Sequence, residues 1–396
     1  MSEWRKYKID DVAEIVGGGT PSTKIEKYWN GEIPWLTPRD LSNSTGRFIA
    51  RGERNISKLG LLNSSARLIP KGSVLLSSRA PVGYIAITKN EITTNQGFRS
   101  LIPKGNTTTE FLYYLLTNNI EYLKSQATGT TFGELAGSTL KSLSFDFPPL
   151  TEQKAIAGLL SSLDDKIDLL HRQNKTLEAM AEALFRQWFV EEADEGWEEG
   201  TIVDICLTIT KGTTPTTLGH QFTERGVNFV KVESITDTGD FIWEKFAQIS
   251  PETHTFLSRS IIKSGDVLCS IAGTIGRVAI TTDEILPANT NQAIAIIRVN
   301  PEKSLTEFIY LFLKSLKFRE IMDGKIVHAV QPNLSLGEIG NTELKIPPVE
   351  LLNKFKQLIE PIFKKKHSNT KQIRTLEKLR DTLLPKLLSG EVRVAV

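Results

Sequence analysis

The chain has 396 residues, 40% of them apolar and 24% charged, a balance that suits two or more globular cores and excludes a disordered or fibrous protein. Its 48 basic and 46 acidic side chains leave a formal charge of +2, which excludes a histone-like, charge-driven grip on nucleic acid but allows a local basic surface. Two cysteines, Cys206 and Cys269, cannot build a disulfide framework and read as buried free thiols. No apolar run reaches the ~18 residues of a membrane span, and the first residues lack the apolar stretch of a secretion signal, so a cytoplasmic protein without membrane contact is expected.

In chain order, short β-type runs come first: VLLSS (74–78), GYIAIT (83–88), FRSLIP (98–103) and SFDF (144–147), separated by Gly, Pro and Asn. A helical stretch over 108–126, opened by a threonine in the N-cap position, lies among them. Residues 151–192 then change period. Ile156, Leu160, Leu163, Ile167, Leu170, Asn174, Leu177, Ala181, Leu184 and Trp188 follow one another in alternating steps of four and three, which predicts a long helix with a coiled-coil seam. Asn174 is the only polar residue on that seam and reads as a register-fixing group.

The pattern then begins again. VLCSIAG (267–273), GRVAI (276–280) and IAIIRV (294–299) are expected strands, and 304–322 is a second helical stretch with a serine as its expected cap. Residues 350–388 mirror the first long helix, with TLEAMAEALFRQ (176–187) facing TLEKLRDTLLPK (375–386). Lys366 and Asn369 fall on this second seam, and Pro361 is expected to kink or divide the helix.

These correspondences form one long internal repeat. Trp4, Ile9 and Asp11 face Trp197, Ile202 and Asp204; GGGTPST (17–23) faces KGTTPTT (211–217); IPWLTPRDL (33–41) faces VNFVKVESI (227–235). Gly72 and Gly83 face Gly265 and Gly276, TNQGFRSLIP (94–103) faces TNQAIAIIRV (290–299), and SFDFPPL (144–150) faces ELKIPPV (343–349). The order of blocks is kept while the spacing drifts by a few residues, as surface-loop insertions behave.

The expected fold class is therefore α+β: two similar globular, strand-rich domains separated by two long helices that form an antiparallel coiled coil, with a pseudo-twofold internal repeat. The expected boundaries are 1–150 for the first globular domain, 151–192 for the central spacer helix, 193–349 for the second domain, and 350–396 for the distal helix and tail. Formal charge by region is +5, −3, −6 and +6, so the two helices carry opposite charge and suit one another as partners.

Catalytic signatures are missing. GGGTPS lacks the spacing of a phosphate-binding loop, and the Pro-Pro pairs lack the Asn or Asp that an amino-methyltransferase motif places before them. His171, His220, His254, His328 and His367 are scattered without metal-ligand spacing, so no metal and no cofactor is expected. No serine sits in GxSxG, and EQK (152–154), although ExK-like, opens a helix where such charges are commonplace. The residues suit a protein that binds and positions.

Together, TPST with IPWLT, LLSSRAPVGYIAI, TNQGF, the run from FPPLTEQKAIAGLL to FRQWF, SIAGTIGR, TNQAIA and LLPKLLSGEV closely resemble the DNA-sequence specificity subunit of type I restriction–modification enzymes. The resemblance covers essentially the whole chain. It implies a non-catalytic subunit in which each globular half is a target recognition domain reading one half of a split site on double-stranded DNA. It further implies that the helices set the half-site spacing and dock two methyltransferase (modification) subunits, with restriction/translocase subunits completing the nuclease. Because the two domains differ in sequence, the site should be non-palindromic. A stand-alone restriction or methylation enzyme and a two-domain scaffold for proteins are the alternatives.

Candidate DNA contacts are matched polar positions in the Gly/Pro-rich loops. In the first half these are Thr20, Ser22, Thr37, Arg39, Ser78, Arg79, Asn95 and Gln96; in the second, Thr214, Thr216, Lys231, Glu233, Ser270, Thr274, Asn291 and Gln292. Positions shared by both halves, such as the Asn-Gln pair, suit a structural role or a phosphate contact, whereas Arg79, opposite Ala272, suits specificity or an ion pair. Trp188 and Phe189 read as core or as a docking face, and Lys364–Lys366 as a solvated helix face or an approach to DNA or an acidic partner.

Overall fold

The computed structural model describes residues 3–42, 46–129, 133–326 and 333–394. It divides into two compact units, Met1–Leu170 with Gln372–Val396, and His171–Lys371. The division falls inside both long helices, so each unit contains one strand-rich domain and a segment of each helix.

In the first unit a five-stranded sheet runs in the order Ala13–Gly17, Phe98–Pro103, Val74–Ser78, Val82–Thr88, Phe48–Ile49. A three-stranded sheet places Trp29–Leu36 between Arg54–Ile56 and Thr93–Thr94. The second unit repeats this plan. Cys206–Lys211, Ile294–Val299, Val267–Ser270 and Val278–Ile280 follow in the same order as the first four strands of the larger sheet. Val227–Val230 lies between Ala247–Ile249 and Ala288–Thr290, antiparallel to the former and parallel to the latter, as Trp29–Leu36 does with its own neighbours.

The central strands are apolar on both faces because both faces are covered. Val74, Leu76 and Leu101 point into a core with Phe111, Leu115 and Phe147, while Leu75 and Phe98 point the other way, toward Leu36, Ile49 and Ala86. In the second unit Val267, Cys269, Ala295 and Ile297 face Phe308, Phe312 and Phe355, and Leu268, Ile294 and Ile296 face Val230 and Ile285. Each such side chain, fully buried, contributes about 1.5–3 kcal/mol. At the head of these strands Gly72 and Gly265 adopt φ of +80° and +81°, a turn that glycine takes without strain, and both carbonyls accept a threonine hydroxyl, from Thr109 and Thr306.

Several expectations are corrected here. The stretches 108–126 and 304–322 are each broken into two helices, Thr109–Asn118 with Ile120–Ser125, and Thr306–Lys314 with Leu316–Ile326. Thr108 caps the first by accepting the Phe111 N–H, but in the second Leu305 occupies the cap position and no side-chain cap forms. Pro361 does not divide its helix: Val349–Leu388 is continuous. Pro361 and Gln357, whose carbonyl loses its partner, are both exposed, so water can satisfy the freed group. Buried Phe355 and Ile359 on one side and Ile362 and Phe363 on the other anchor the helix across the break.

The first long helix spans Leu150–Arg186 and continues through Gln187–Glu191 in wider turns. Its opening motif is explained by Gln153, which is buried. The Gln153 carbonyl oxygen accepts from the Thr107 hydroxyl and the Thr108 N–H, and its amide donates to the Pro148 and Asn106 carbonyls. Every residue of the expected seam is buried or half-buried. In the first unit the helical segments run antiparallel: Glu152 pairs with Arg393, Asp164 with Arg380, and Ile167 and Leu170 cluster with Ile373 and Leu376. In the second unit they do the same, with Asn174 beside Asn369, Glu178 beside Lys366, and Trp188 and Phe189 against Phe355. Trp188 and Phe189 thus belong to the core.

Charges also lie inside these helical interfaces, next to the seam. Asp164 accepts from the Tyr114 hydroxyl at 2.6 Å, within reach of Arg47 and Arg380. Glu178 accepts from Tyr310 and holds both Lys314 and Lys366. Lys366 is therefore not part of a solvated basic face, whereas Lys364 and Lys365 are exposed. Burial pushes Glu178 up, but Lys366 and then Lys314 outweigh it and hold the carboxyl below its ordinary value.

Candidate DNA interface

The candidate residues of the first domain lie on four loops that its two sheets bring together. The loop 17–23 is held from below by two indoles: Trp35 Nε1 donates to the Gly19 carbonyl at 2.8 Å and Trp29 Nε1 to the Ser22 carbonyl at 3.1 Å. That leaves Thr20 and Ser22 exposed. Thr37 is half-buried, and its N–H and hydroxyl both donate to Asp40, which opens the turn carrying the exposed Arg39. Asn95 turns its side-chain oxygen to the Gly97 N–H, and Gln96, exposed, accepts from the Thr20 hydroxyl at 2.6 Å.

The second domain builds the same set. Thr214 donates to Gln292, Asn291 accepts from the Ala293 N–H, and the Lys231 N–H donates to Ser234, the position that Asp40 occupies in the first domain. The Lys231 ammonium lies 3.9 Å from Glu233 and 5.0 Å over the Phe222 ring. Thr216 is exposed on the turn Pro215–Leu218.

Ser78 and Ser270 are corrected. Both are fully buried. Ser270 Oγ donates to the Thr274 carbonyl and accepts the Arg277 N–H, as Ser77 does with Pro81 and Tyr84 in the first domain. Ser78 Oγ meets no hydrogen-bond partner. The Ser270 and Ser77 hydroxyls shape the hairpin turns, and neither Ser78 nor Ser270 faces solvent. Both faces of these strands are covered, so every residue within them is buried whichever way it points, and exposed side chains come only after the strand ends.

Arg79 is half-exposed, 3.9 Å from Glu134, and Glu134 also holds Arg99 at 2.8 Å. Among the described residues of the second domain the same cluster is absent, since Ala272 stands opposite Arg79. There an open pocket gathers Glu233, Thr274 and Asn291 with Val232, Ala272, Gly273, Arg277 and Ala293. Arg277, which sequence reasoning passed over as a site residue, donates to Asp237 at 2.9 Å and to the Val232 carbonyl. Its signal was the final residue of SIAGTIGR, a cation where the first domain has Tyr84. Glu134 had no such signal.

Burial pushes the thiols of Cys206 and Cys269 up to about 12, which makes them poor nucleophiles. Among the described residues no group of three or more His, Cys, Asp or Glu could hold a metal ion, and His328 lies outside those residues. No described helix is long and apolar enough to cross a membrane.

The chain matches the family model for the type I restriction modification DNA specificity domain twice, over residues 1–179 and 194–378. It is 39% identical to the type I restriction enzyme MjaIX specificity subunit of Methanocaldococcus jannaschii, over 99% of this chain and 94% of that protein. The HindI specificity subunit of Haemophilus influenzae is 24% identical over 99% of this chain and its own full length. In fold, the S subunit of a type I restriction-modification system from M. genitalium superposes with a TM-score of 0.60 at 20% identity, covering 98% of this chain and 96% of that one.

Proposed function

The chain belongs to the type I restriction–modification DNA specificity family, and from that premise we propose that each of its domains reads one half of a bipartite, non-palindromic site on double-stranded DNA. It is a recognition subunit that binds DNA and assembles with other subunits, not the one that makes or breaks bonds. On this reading the partners are two methyltransferase subunits, docked on the helices, and restriction/translocase subunits in the full complex. The length of the helices sets the half-site spacing, and the complex works in the cytoplasm. No cofactor is assigned to this chain.

The observation that carries the reading is a shared frame with different side chains on it. Both domains build the same Thr–Gln bond and the same Asn-stabilised turn. On that frame Thr37 and Arg39 of the first domain face Lys231 and Glu233 of the second, and Arg79 faces Ala272. Exposed side chains that differ on one scaffold suit the reading of two different base sequences. Thr20, Ser22, Arg39, Arg79, Thr216, Lys231, Glu233 and Thr274 are the positions proposed to approach DNA.

The test is modified-base sequencing of DNA from a host expressing this chain with its methyltransferase subunit. Methylation at two unlike half-sites a fixed distance apart is expected. A perfect palindrome, or no new methylation, overturns the proposal.

A further inference from the structure

The Asn-Gln pair present in both domains divides into two tasks. Asn95 and Asn291 turn inward, their side-chain oxygens accepting the N–H groups of Gly97 and Ala293 at 2.9 and 3.1 Å. Gln96 and Gln292 are exposed, and each uses its carbonyl oxygen to accept from a threonine hydroxyl across the loop, Thr20 and Thr214. A primary amide has one acceptor and one two-proton donor group. The threonine hydroxyl occupies one lone pair of that oxygen, and the group that can donate to an outside acceptor is the Nε2 amino group.

Both loops are fixed at the backbone. The Gly19 N–H donates to the Thr94 carbonyl and the Gly212 N–H to the Asn291 carbonyl. A methyl group at Gly212 would lie 1.7 Å from the Thr290 carbonyl oxygen, so only glycine lets the loops approach so closely. A guanidinium lies at each loop pair: Arg99 Nη1 is 3.5 Å from the Gln96 main-chain carbonyl oxygen, and Arg259 Nη2 is 3.2 Å from the hydroxyl of Thr213, the residue before Thr214.

We propose that Gln96 and Gln292 are a matched pair of phosphate clamps. Each Nε2 donates to a backbone phosphate oxygen at the equivalent point of its half-site and fixes the register of its domain without reading a base. The inference rests on the DNA reading above. A glutamine that read a base through both amide groups would favour adenine at the same place in each half-site. Phosphates are the same under any sequence, which suits a bond kept alike in two domains whose neighbouring side chains differ. A neutral donor also positions without releasing counterions, so it leaves the salt dependence of binding unchanged.

The test uses the full chain purified with its methyltransferase subunit, on a duplex carrying the sequenced site and on a random-sequence duplex. Uncharged methylphosphonate linkages are scanned singly along the site duplex. Gln96→Ala and Gln292→Ala should each weaken binding about tenfold on both duplexes. Each variant should also lose sensitivity to one methylphosphonate position, in its own half-site only, with the salt slope unchanged. Thr20→Val, which removes the loop bond but keeps the amide, should retain that sensitivity. Loss of affinity confined to particular base pairs, or variants that remain sensitive at every linkage, overturns the clamp. A wild-type complex that binds neither duplex overturns the DNA reading and the clamp with it.

Discussion

Replacing Glu178 by glutamine tests the buried charge cluster of the second unit. The side chains of Glu178, Lys314 and Lys366 are only 10%, 13% and 11% exposed, so solvent screens them little. Glu178→Gln keeps the shape but leaves the Lys366 ammonium without its counter-charge and Lys314 with only the half-exposed Glu182, 3.5 Å away. Removing one partner of such a buried pair costs about 3–5 kcal/mol. For a unit of roughly 150–250 residues that lowers Tm by about 6–20 °C, at ~2–4 °C per kcal/mol. Since the folded-state value of Glu178 is depressed, its contribution is full above the ordinary glutamate range and is lost as pH falls through the depressed value. The Tm gap between wild type and variant should therefore be widest near neutrality and should close in acid. The triple variant Glu178→Met, Lys314→Met, Lys366→Met should be more stable than Glu178→Gln, because apolar groups of similar volume need no counter-charge. Thermal unfolding by circular dichroism across pH 3–8 measures all of this, and a Glu178→Gln protein with wild-type Tm at pH 7 would refute the argument.

Asn174→Leu should destabilise by about 1–3 kcal/mol in urea unfolding, since it strips the fully buried Asn369 of the acceptor 2.9 Å from its amide. Changing Asn369 to leucine as well should recover most of that loss, and an equal or larger loss in the double variant would count against the pairing. Cys206 and Cys269, pushed up to about 12 by burial, should resist a thiol-reactive dye at pH 8 until the protein is denatured. Rapid labelling of the native chain would contradict this. Arg79→Ala should relax the first half-site at one base pair, by about 1–3 kcal/mol of discrimination, and leave the second half-site as it was. Methylome sequencing reads the change directly, and altered bases in the second half-site would sink the assignment.

Much of this architecture was legible in advance because it rests on local periodicity. VLLSS, FRSLIP, SFDF and IAIIRV became strands with those bounds, and the four–three seam marked the buried face of the first helix. Interactions between distant residues were not legible. Nothing near Glu178 or Lys366 announces a buried ion pair, because the partners lie 188 residues apart. Pro361 breaks helices on average, yet here the apolar contacts on both sides decide. Within the candidate interface, matched motifs located the loops and the Thr–Gln partners, but where each strand ends, and with it where burial on both faces ends, depends on distant packing. Ser78 and Ser270 therefore looked like contact residues and proved to be buried.

Each domain begins and ends on adjacent strands: Arg5–Lys8 pairs antiparallel with Ser144–Phe147, and Glu198–Thr201 with Glu343–Ile346. The backbone therefore comes into and goes out of each domain at neighbouring points, about 5 Å apart. A gene segment cut between these strands and replaced by its counterpart from a related gene would present the same two attachment points to the rest of the chain. Recombination could then exchange a whole reading head in one event, changing half of the recognised address while leaving the other half legible.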